Sequence, residues 1–423
     1  MTRAASPKLG LYALLAGAGL VSALALGRPE PAVVAAPLLL FLVIGLALAR
    51  DPELDVDVQL ESDRILEGEE AALEVAIGSA TAVDELELVV ALPRGVRDVS
   101  PGAAGVRLEA GDTHTFGRRL RCDRWGGYRL GDVLLRARDP LHLLVWERHV
   151  EGRERLRVYP REERLRQLVR PARTQLGAGN QVSRSRGDGI EFADLRPFMP
   201  GDRLRRIHWR ASARRGELWV TELHPERNAD IVIFLDTFAE ARRADAGTLD
   251  LAVRAAATLV RGYLGQRDRV GIVGFGGVLR WLLPGSGAEH GYRIADALLD
   301  TDIAFSYAWK GVDVIPPRTI PPGALVLALS PLLDTRTVGA LADLAGRGFD
   351  LCVVEVSAVP FEQMPHGELG VSLGRLRRLE REKVRLDYQR LGIAVAEWVE
   401  GRPLAVPIEG VRRSRRSARR ARA

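Results

Sequence analysis

Cysteine is almost missing from this chain. Cys122 and Cys352 are its only two among 423 residues, they stand far apart, and neither belongs to a Cys-x-x-Cys or Cys/His spacing. A disulfide framework and a zinc site are thereby excluded, and two buried free thiols in a reducing compartment are expected. A phosphate-binding loop is missing too. The glycines of Gly177–Val182 follow no strand pattern, those of Gly271–Gly277 end a strand with the wrong spacing, and no Gly-Lys-Ser/Thr occurs. The chain is therefore not an NTPase in its own right. Net charge is missing from its body. The formal charge is +6, but Val411–Ala423 holds seven arginines and no acid, so 6 − 7 = −1 remains for everything else. No nucleic-acid surface is expected on such a body. The tail reads either as an anionic-lipid contact or as a disordered, solubilising end.

Two long apolar runs are present. Leu9–Leu26 and Ala32–Ala49 are each 18 residues without a charge, roughly 27 Å as helix and close to the hydrocarbon thickness of a bilayer. Between them Gly27, Pro29 and Pro31 break the helix, so residues 1–50 read as a transmembrane hairpin with spans about 9–26 and 32–49. Arg3 and Lys8 precede the first run and Arg50 follows the second. By the positive-inside rule this is a two-pass plasma-membrane protein with both termini and the soluble domains in the cytoplasm. A cleaved signal peptide ending near Ala23-Leu24-Ala25 is the rival. The second run would then stop transfer and leave the same domains inside.

Residues 51–160 show short alternating runs, LDVDVQL, AALEVAI, ELELVVAL and VLLRAR, separated by turn clusters. Period-two alternation predicts an antiparallel β-sandwich with Trp125, Tyr128 and Trp146 in its core. Residues 161–223 are a connector followed by a charged segment. From 224 to 400 the period changes: DIVIFLD, RVGIVGFGG, ALVLALS, DLCVVEV and IAVAEWV alternate with helix-length stretches. That predicts an α/β domain with a mostly parallel sheet covered on both faces. The charged stretch Ser372–Leu391 is expected to pack Leu373, Leu376 and Leu379 on that sheet. Residues 401–423 form the basic, disordered tail.

The segment Gly187–Leu223 fits neither period. It carries seven arginines against six acids, so its charges are expected to pair with one another. Its ordered elements are Gly189, Glu191, Phe192, Leu195, Arg196, Pro200, Gly201, Asp202, Ile207, Trp209, Arg210, Ser212, Ala213 and Arg214. This string resembles the signature of the domain-of-unknown-function 58 family. Gly-x-Tyr and Asp-Pro-Leu elements in RWGGYRLGDV and RARDPLHLLVWE resemble that family's β-domain. The resemblance implies a von Willebrand factor A-like α/β domain, a membrane anchor, and company with MoxR-type AAA+ ATPases and transglutaminase-like membrane proteins. The role it implies is a non-catalytic adaptor or assembly factor for protein partners. Glu191, Arg196, Gly201, Asp202, Trp209, Arg210, Ser212 and Arg214 are the residues expected to form the partner surface or the ion network that supports it.

Two chemistries stay open. In an open α/β sheet, ligands bind beyond the carboxyl ends of the strands, which points to Asp236 after DIVIFL. A von Willebrand-type magnesium site would there read Asp-x-Ser-x-Ser, supplying hard oxygen ligands. This chain reads Asp236-Thr237-Phe238-Ala239-Glu240, with Ser330 where a later carboxylate would stand. No cofactor is expected, with a divalent-metal-dependent ligand-binding domain as the alternative, Glu240 and Asp334 compensating. A serine hydrolase would use Ser212 with His208, oriented by Asp194 or Asp202. No Gly-x-Ser-x-Gly elbow follows a strand, so no catalytic residue is assigned.

Overall fold

The computed structural model describes residues 1–423 apart from 101, 103, 104, 172–174, 183–190, 200, 201, 203, 205, 206, 225, 245, 302–314, 317, 363, 364 and 423. The chain divides into two units, Met1–Tyr159 and Pro160–Ala423.

In the first unit, α1 (Pro7–Leu26) and α2 (Glu30–Leu48) form the hairpin. Ser6 caps α1 by accepting the Leu9 N–H, and Gly27, at φ 60°, ends it in the left-handed conformation that lets the chain reverse. Both helices are long and apolar enough to cross a membrane. They touch through small residues: Ala16 and Ala35 are buried, and a Cβ on Gly19 would stand 2.8 Å from that of Ala35. Elsewhere their surface is open, with Leu24 86% and Val34 72% exposed, an arrangement that suits hydrocarbon better than water. These helices mark the chain as membrane-associated. The strand Thr2–Ala5 pairs antiparallel with Leu144–Glu147, and Trp146 donates its indole N–H to Asp51 at 2.7 Å. Both ends of the hairpin are thus tied to one sheet.

That sheet has five strands, in the order Thr2–Ala5, Leu144–Val150, Asp132–Arg138, Val83–Ala91 and Val106–Leu108. A four-stranded sheet runs Leu54–Leu60, Glu70–Ser79, Thr113–Cys122 and Val96–Asp98. The period-two pattern produces them. In Glu70–Ser79 the residues Ala71, Leu73, Val75 and Ile77 are buried while Glu70 and Glu74 face water. Leu86, Leu120, Val133, Leu135 and Trp146 join them in one core. Trp125 and Trp146 are buried, as expected, and Tyr128 donates its hydroxyl to the Arg124 carbonyl. Cys122 lies in this core, where burial pushes its thiol up to about 11. One pairing departs from the antiparallel expectation: Glu154–Tyr159 runs parallel to Arg64–Leu66.

The second unit begins with an excursion: Glu191–Pro197 pairs antiparallel with Trp219–His224, and the short helix α3 (Trp209–Arg215) lies between them. A six-stranded sheet follows, ordered Arg280–Gly285, Arg269–Gly276, Asp230–Thr237, Leu325–Ser330, Asp350–Val356 and Ala394–Trp398. All its neighbours are parallel except the edge strand Arg280–Gly285. Every residue of Asp230–Thr237 is buried, which is why its middle, Ile231–Leu235, reads as an unbroken apolar run. Helices α4 (Thr248–Gly265), α5 (Ala288–Leu299), α6 (Thr335–Gly346), α7 (Glu368–Arg390) and α8 (Ala405–Arg422) alternate with these strands or follow the last.

Two expectations are corrected here. In α7, Leu373 is half-buried, but Leu376 is 53% and Leu379 62% exposed; the inner face belongs instead to Gly370, Arg381, Val384, Arg385 and Tyr388. Arg381 pairs with Glu362, and Arg385 with Glu355 and Glu397, so buried carboxylates turn the arginines inward and the leucines outward. The basic tail is helical through α8 rather than disordered. Leu404, Ile408 and Val411, at i, i+4 and i+7, are buried, and Arg415 donates to both carboxylate oxygens of Asp350.

Candidate functional site

The excursion is held by two small devices. At the end of the first strand Arg196 donates through both terminal nitrogens to Asp202, each bond 2.6 Å, and the Met199 N–H adds a third bond of 2.8 Å. This two-pronged arginine–carboxylate pairing fixes direction as well as distance. Arg196 first, then the Met199 N–H, pull the Asp202 carboxyl down to about 2. At the second strand, Ser212 is buried; its hydroxyl accepts the Trp219 N–H at 2.9 Å and donates to the His208 carbonyl at 3.1 Å. Arg215 lies 4.0 Å over the Trp219 ring, and Gly216, at φ 73°, ends α3.

These anchors present an open face. Trp209 is 69% exposed at the start of α3, and Met199, Leu204 and Leu218 are exposed as well. Arg210 and Arg214 are exposed and make no ion pair among the described residues. The expectation that the segment's charges pair with one another thus holds for Arg196 and Asp202 and fails for Arg210 and Arg214. Gly201 lies outside the described residues, and Glu191 is placed only by its backbone, opposite His224.

The structure also separates the hydrolase set. The imidazole Nδ1 of His208 accepts the Ala211 N–H and caps α3, while the Ser212 hydroxyl is held by main-chain groups. Ser212 meets the carbonyl of His208, not its ring, so no nucleophile–base pair is formed. Sequence reasoning passed over Gly370-Val371-Ser372-Leu373-Gly374. It has the spacing of a nucleophile elbow, but it lies within α7 and not at a strand end.

Asp236 stands where the strand pattern put it, at the carboxyl end of the central strand, only 2% exposed. Ser330 donates to Oδ2 at 2.6 Å and the Phe238 N–H to Oδ1 at 3.1 Å. The buried Thr337 hydroxyl lies beside the same carboxylate without an ordinary hydrogen bond to any group. Burial dominates these bonds and pushes the Asp236 carboxyl up to about 6; nearby Asp334 works in the same direction. Phe238 turns into the core against Phe275, ring centroids 5.0 Å apart. The Arg336 guanidinium lies 4.0 Å over the Phe238 ring and pairs with Asp334 at 2.7 Å. Glu240 pairs with Arg242 at 3.1 Å. A cation held by hard oxygens does not fit these residues: a benzyl group fills a ligand position, a guanidinium sits over it, and both compensating acids have cationic partners. A cavity of 330 Å³ opens nearby between Leu235, Thr237, Arg280, Trp281 and Asp300, but Asp236 is not among its walls.

Residues 194–390, from the excursion to the end of α7, match the model of the protein family of unknown function DUF58. This segment belongs to the DUF58 family. The uncharacterized protein YeaD of Bacillus subtilis (strain 168) is 27% identical to the chain over 152 residues, which are 35% of this chain and 38% of that protein. The chain thus spans well under half the length of this curated relative. An aerotolerance-related membrane protein from Bacteroides fragilis NCTC 9343 shares 17% identity over 30% of this chain and 67% of its own, with a TM-score of 0.25. A FixG-related protein from Vibrio parahaemolyticus shares 14% identity over 25% and 95%, with a TM-score of 0.18. Neither structural likeness is close enough to carry an argument about fold.

Proposed function

We propose that this DUF58 protein is a membrane-anchored, non-catalytic adaptor or assembly factor. Its α/β domain is of the von Willebrand factor A-like kind, held with a β-sandwich domain on the cytoplasmic side of the plasma membrane. The observation that carries the proposal is Trp209: a tryptophan 69% exposed, flanked by the exposed Arg210 and Arg214, on an excursion clamped by Arg196–Asp202 and by Ser212. Exposed tryptophan and arginine on a rigid mount are what protein interfaces use as anchors, because little conformational freedom is lost on binding. Support for the domain type comes from the strand order, with its one antiparallel edge strand and an aspartate ending the central strand. Support for the orientation comes from Arg3, Lys8 and Arg50 beside the hairpin. No cofactor takes part; Asp236 is a structural group at a sealed strand end.

The partner class implied by family membership is a MoxR-type AAA+ ATPase, with a transglutaminase-like membrane protein as a further companion. In-cell crosslinking followed by affinity purification tests this, comparing the native chain with an Arg196→Ala/Trp209→Ala variant of verified fold. Recovery of such an ATPase by the native chain alone is expected. Failure of both to recover one would sink the partner, and equal recovery by both would sink the surface.

A further inference from the structure

The outward face of α7 is an apolar stripe left exposed among the described residues. Leu369 is 66%, Leu376 53%, Leu379 62% and Leu386 47% exposed. At about 100° per residue, Leu379 stands roughly 180° around the helix from Tyr388, whose ring is buried against the sheet. The four leucines recur at intervals of seven, three and seven, the spacing of the a and d positions of a coiled-coil seam. Ser372 and Lys383 occupy the remaining positions of the same stripe. Arg375 and Glu382 flank it on one side, both exposed and both without an ion-pair partner among the described residues.

We propose that this face docks a second copy of the chain, α7 against α7, antiparallel. With the two-fold axis between Arg377 and Arg378, Leu376 of one copy meets Leu379 of the other, and Leu369 meets Leu386. Lys383 then faces Ser372, and Arg375 lies opposite Glu382 on the flank, each pairing occurring twice by symmetry. A parallel pair is much poorer. It sets Lys383 against Lys383 and Glu382 against Asp387, like charges at both places, with Arg375 against Glu380 as its one favourable flank pair. The sequence of this one face therefore matches itself better antiparallel than parallel, which is why a second copy is its occupant. The inner face is already taken by the ion pairs to Glu355, Glu362 and Glu397, so it is the outer face that is left for a second copy.

The test uses the full chain in detergent micelles, its mass followed by sedimentation equilibrium. The native chain is expected as a dimer, and Leu376→Glu/Leu379→Glu should raise its dissociation constant on the order of 100-fold or more, since unpaired charges would enter the seam. Those side chains are exposed in the single copy, so the circular dichroism spectrum of the folded chain should not change. Glu382→Arg should weaken the dimer and Arg375→Glu/Glu382→Arg should restore it, whereas a parallel pair would be strengthened by Glu382→Arg through Asp387. Oxidation of a mixture of Leu376→Cys and Leu379→Cys chains should give the mixed disulfide in preference to either homodimer. A monomeric native chain, a dimer indifferent to the paired glutamates, or a dimer strengthened by Glu382→Arg would each overturn the proposal.

Discussion

Asp236 and Asp202 belong to the same unit, and their surroundings move them in opposite directions. Asp236 ends the central strand under Phe238 and Arg336; burial raises its carboxyl to about 6. Asp202 sits in a loop of the excursion, gripped by Arg196 and the Met199 N–H, and its carboxyl falls to about 2. The strand end, where α/β folds place their ligands, is closed by an aromatic ring and a guanidinium. The excursion, which fits no secondary-structure period, is held firmly and keeps its tryptophan and two arginines in solvent. Chemical opportunity has moved from the first place to the second.

The largest effect should come from removing the strained charge. Asp236 is protonated more readily in the folded chain than in the unfolded one, so between about pH 4 and 6 folding takes up a proton and stability falls as pH rises. A shift of about two units corresponds to about 3 kcal/mol. Asp236→Asn should therefore melt like the native chain near pH 4 and be more stable by about 2–3 kcal/mol at pH 7. Thermal melts across that range check it. A native chain whose stability rises over the same window would reverse the comparison. Titration calorimetry sharpens the same point: magnesium and manganese should give no heat that Asp236→Ala abolishes, and such heat would restore the metal-dependent alternative.

Ser212→Ala should come next. It leaves the Trp219 N–H unsatisfied within the excursion, a loss of about 1–3 kcal/mol. Hydrogen exchange should show this as lost protection at Trp219 while the six-stranded sheet is unaffected. Labelling of Ser212 by a serine-reactive probe in the native chain would contradict the placement of its hydroxyl. Arg196→Ala should act more locally still. Native Asp202 keeps its grip above its ordinary range, near pH 4, and loses it as pH falls towards 2. In the variant the Asp202 carboxyl should titrate at the upper end of that window, read by carbon NMR. Trp209→Ala should be the smallest in stability, within about 0.5 kcal/mol, because its ring is mostly in solvent. It should nevertheless abolish partner capture. A large loss of stability would make Trp209 a packing residue and remove the surface.

The α/β half was legible because a strand buried on both faces has to be apolar along its middle, as Ile231–Leu235 is, and the helical hairpin because lipid-facing helices tolerate no charge along their length. What escaped depended on partners distant in sequence. Nothing near Leu376 or Leu379 announces that Glu355, Glu362 and Glu397 will draw the arginines of α7 inward. The helical fate of the tail hung on Leu404, Ile408 and Val411 finding the sheet, while composition emphasised its arginines. At the excursion, the Arg196–Asp202 pairing could be anticipated from charge balance. That Arg210 and Arg214 would find no ion-pair partner among the described residues could not, since balance fixes totals and not neighbours.

The most direct test of the exposed-surface account is a photoreactive phenylalanine analogue placed at Arg210 of the full chain and irradiated in cells, with adducts identified by mass spectrometry. The account predicts a protein adduct containing a AAA+ ATPase that disappears when Trp209→Ala is added. An ATPase adduct that survives Trp209→Ala, or no protein adduct at all from a folded chain, would contradict it.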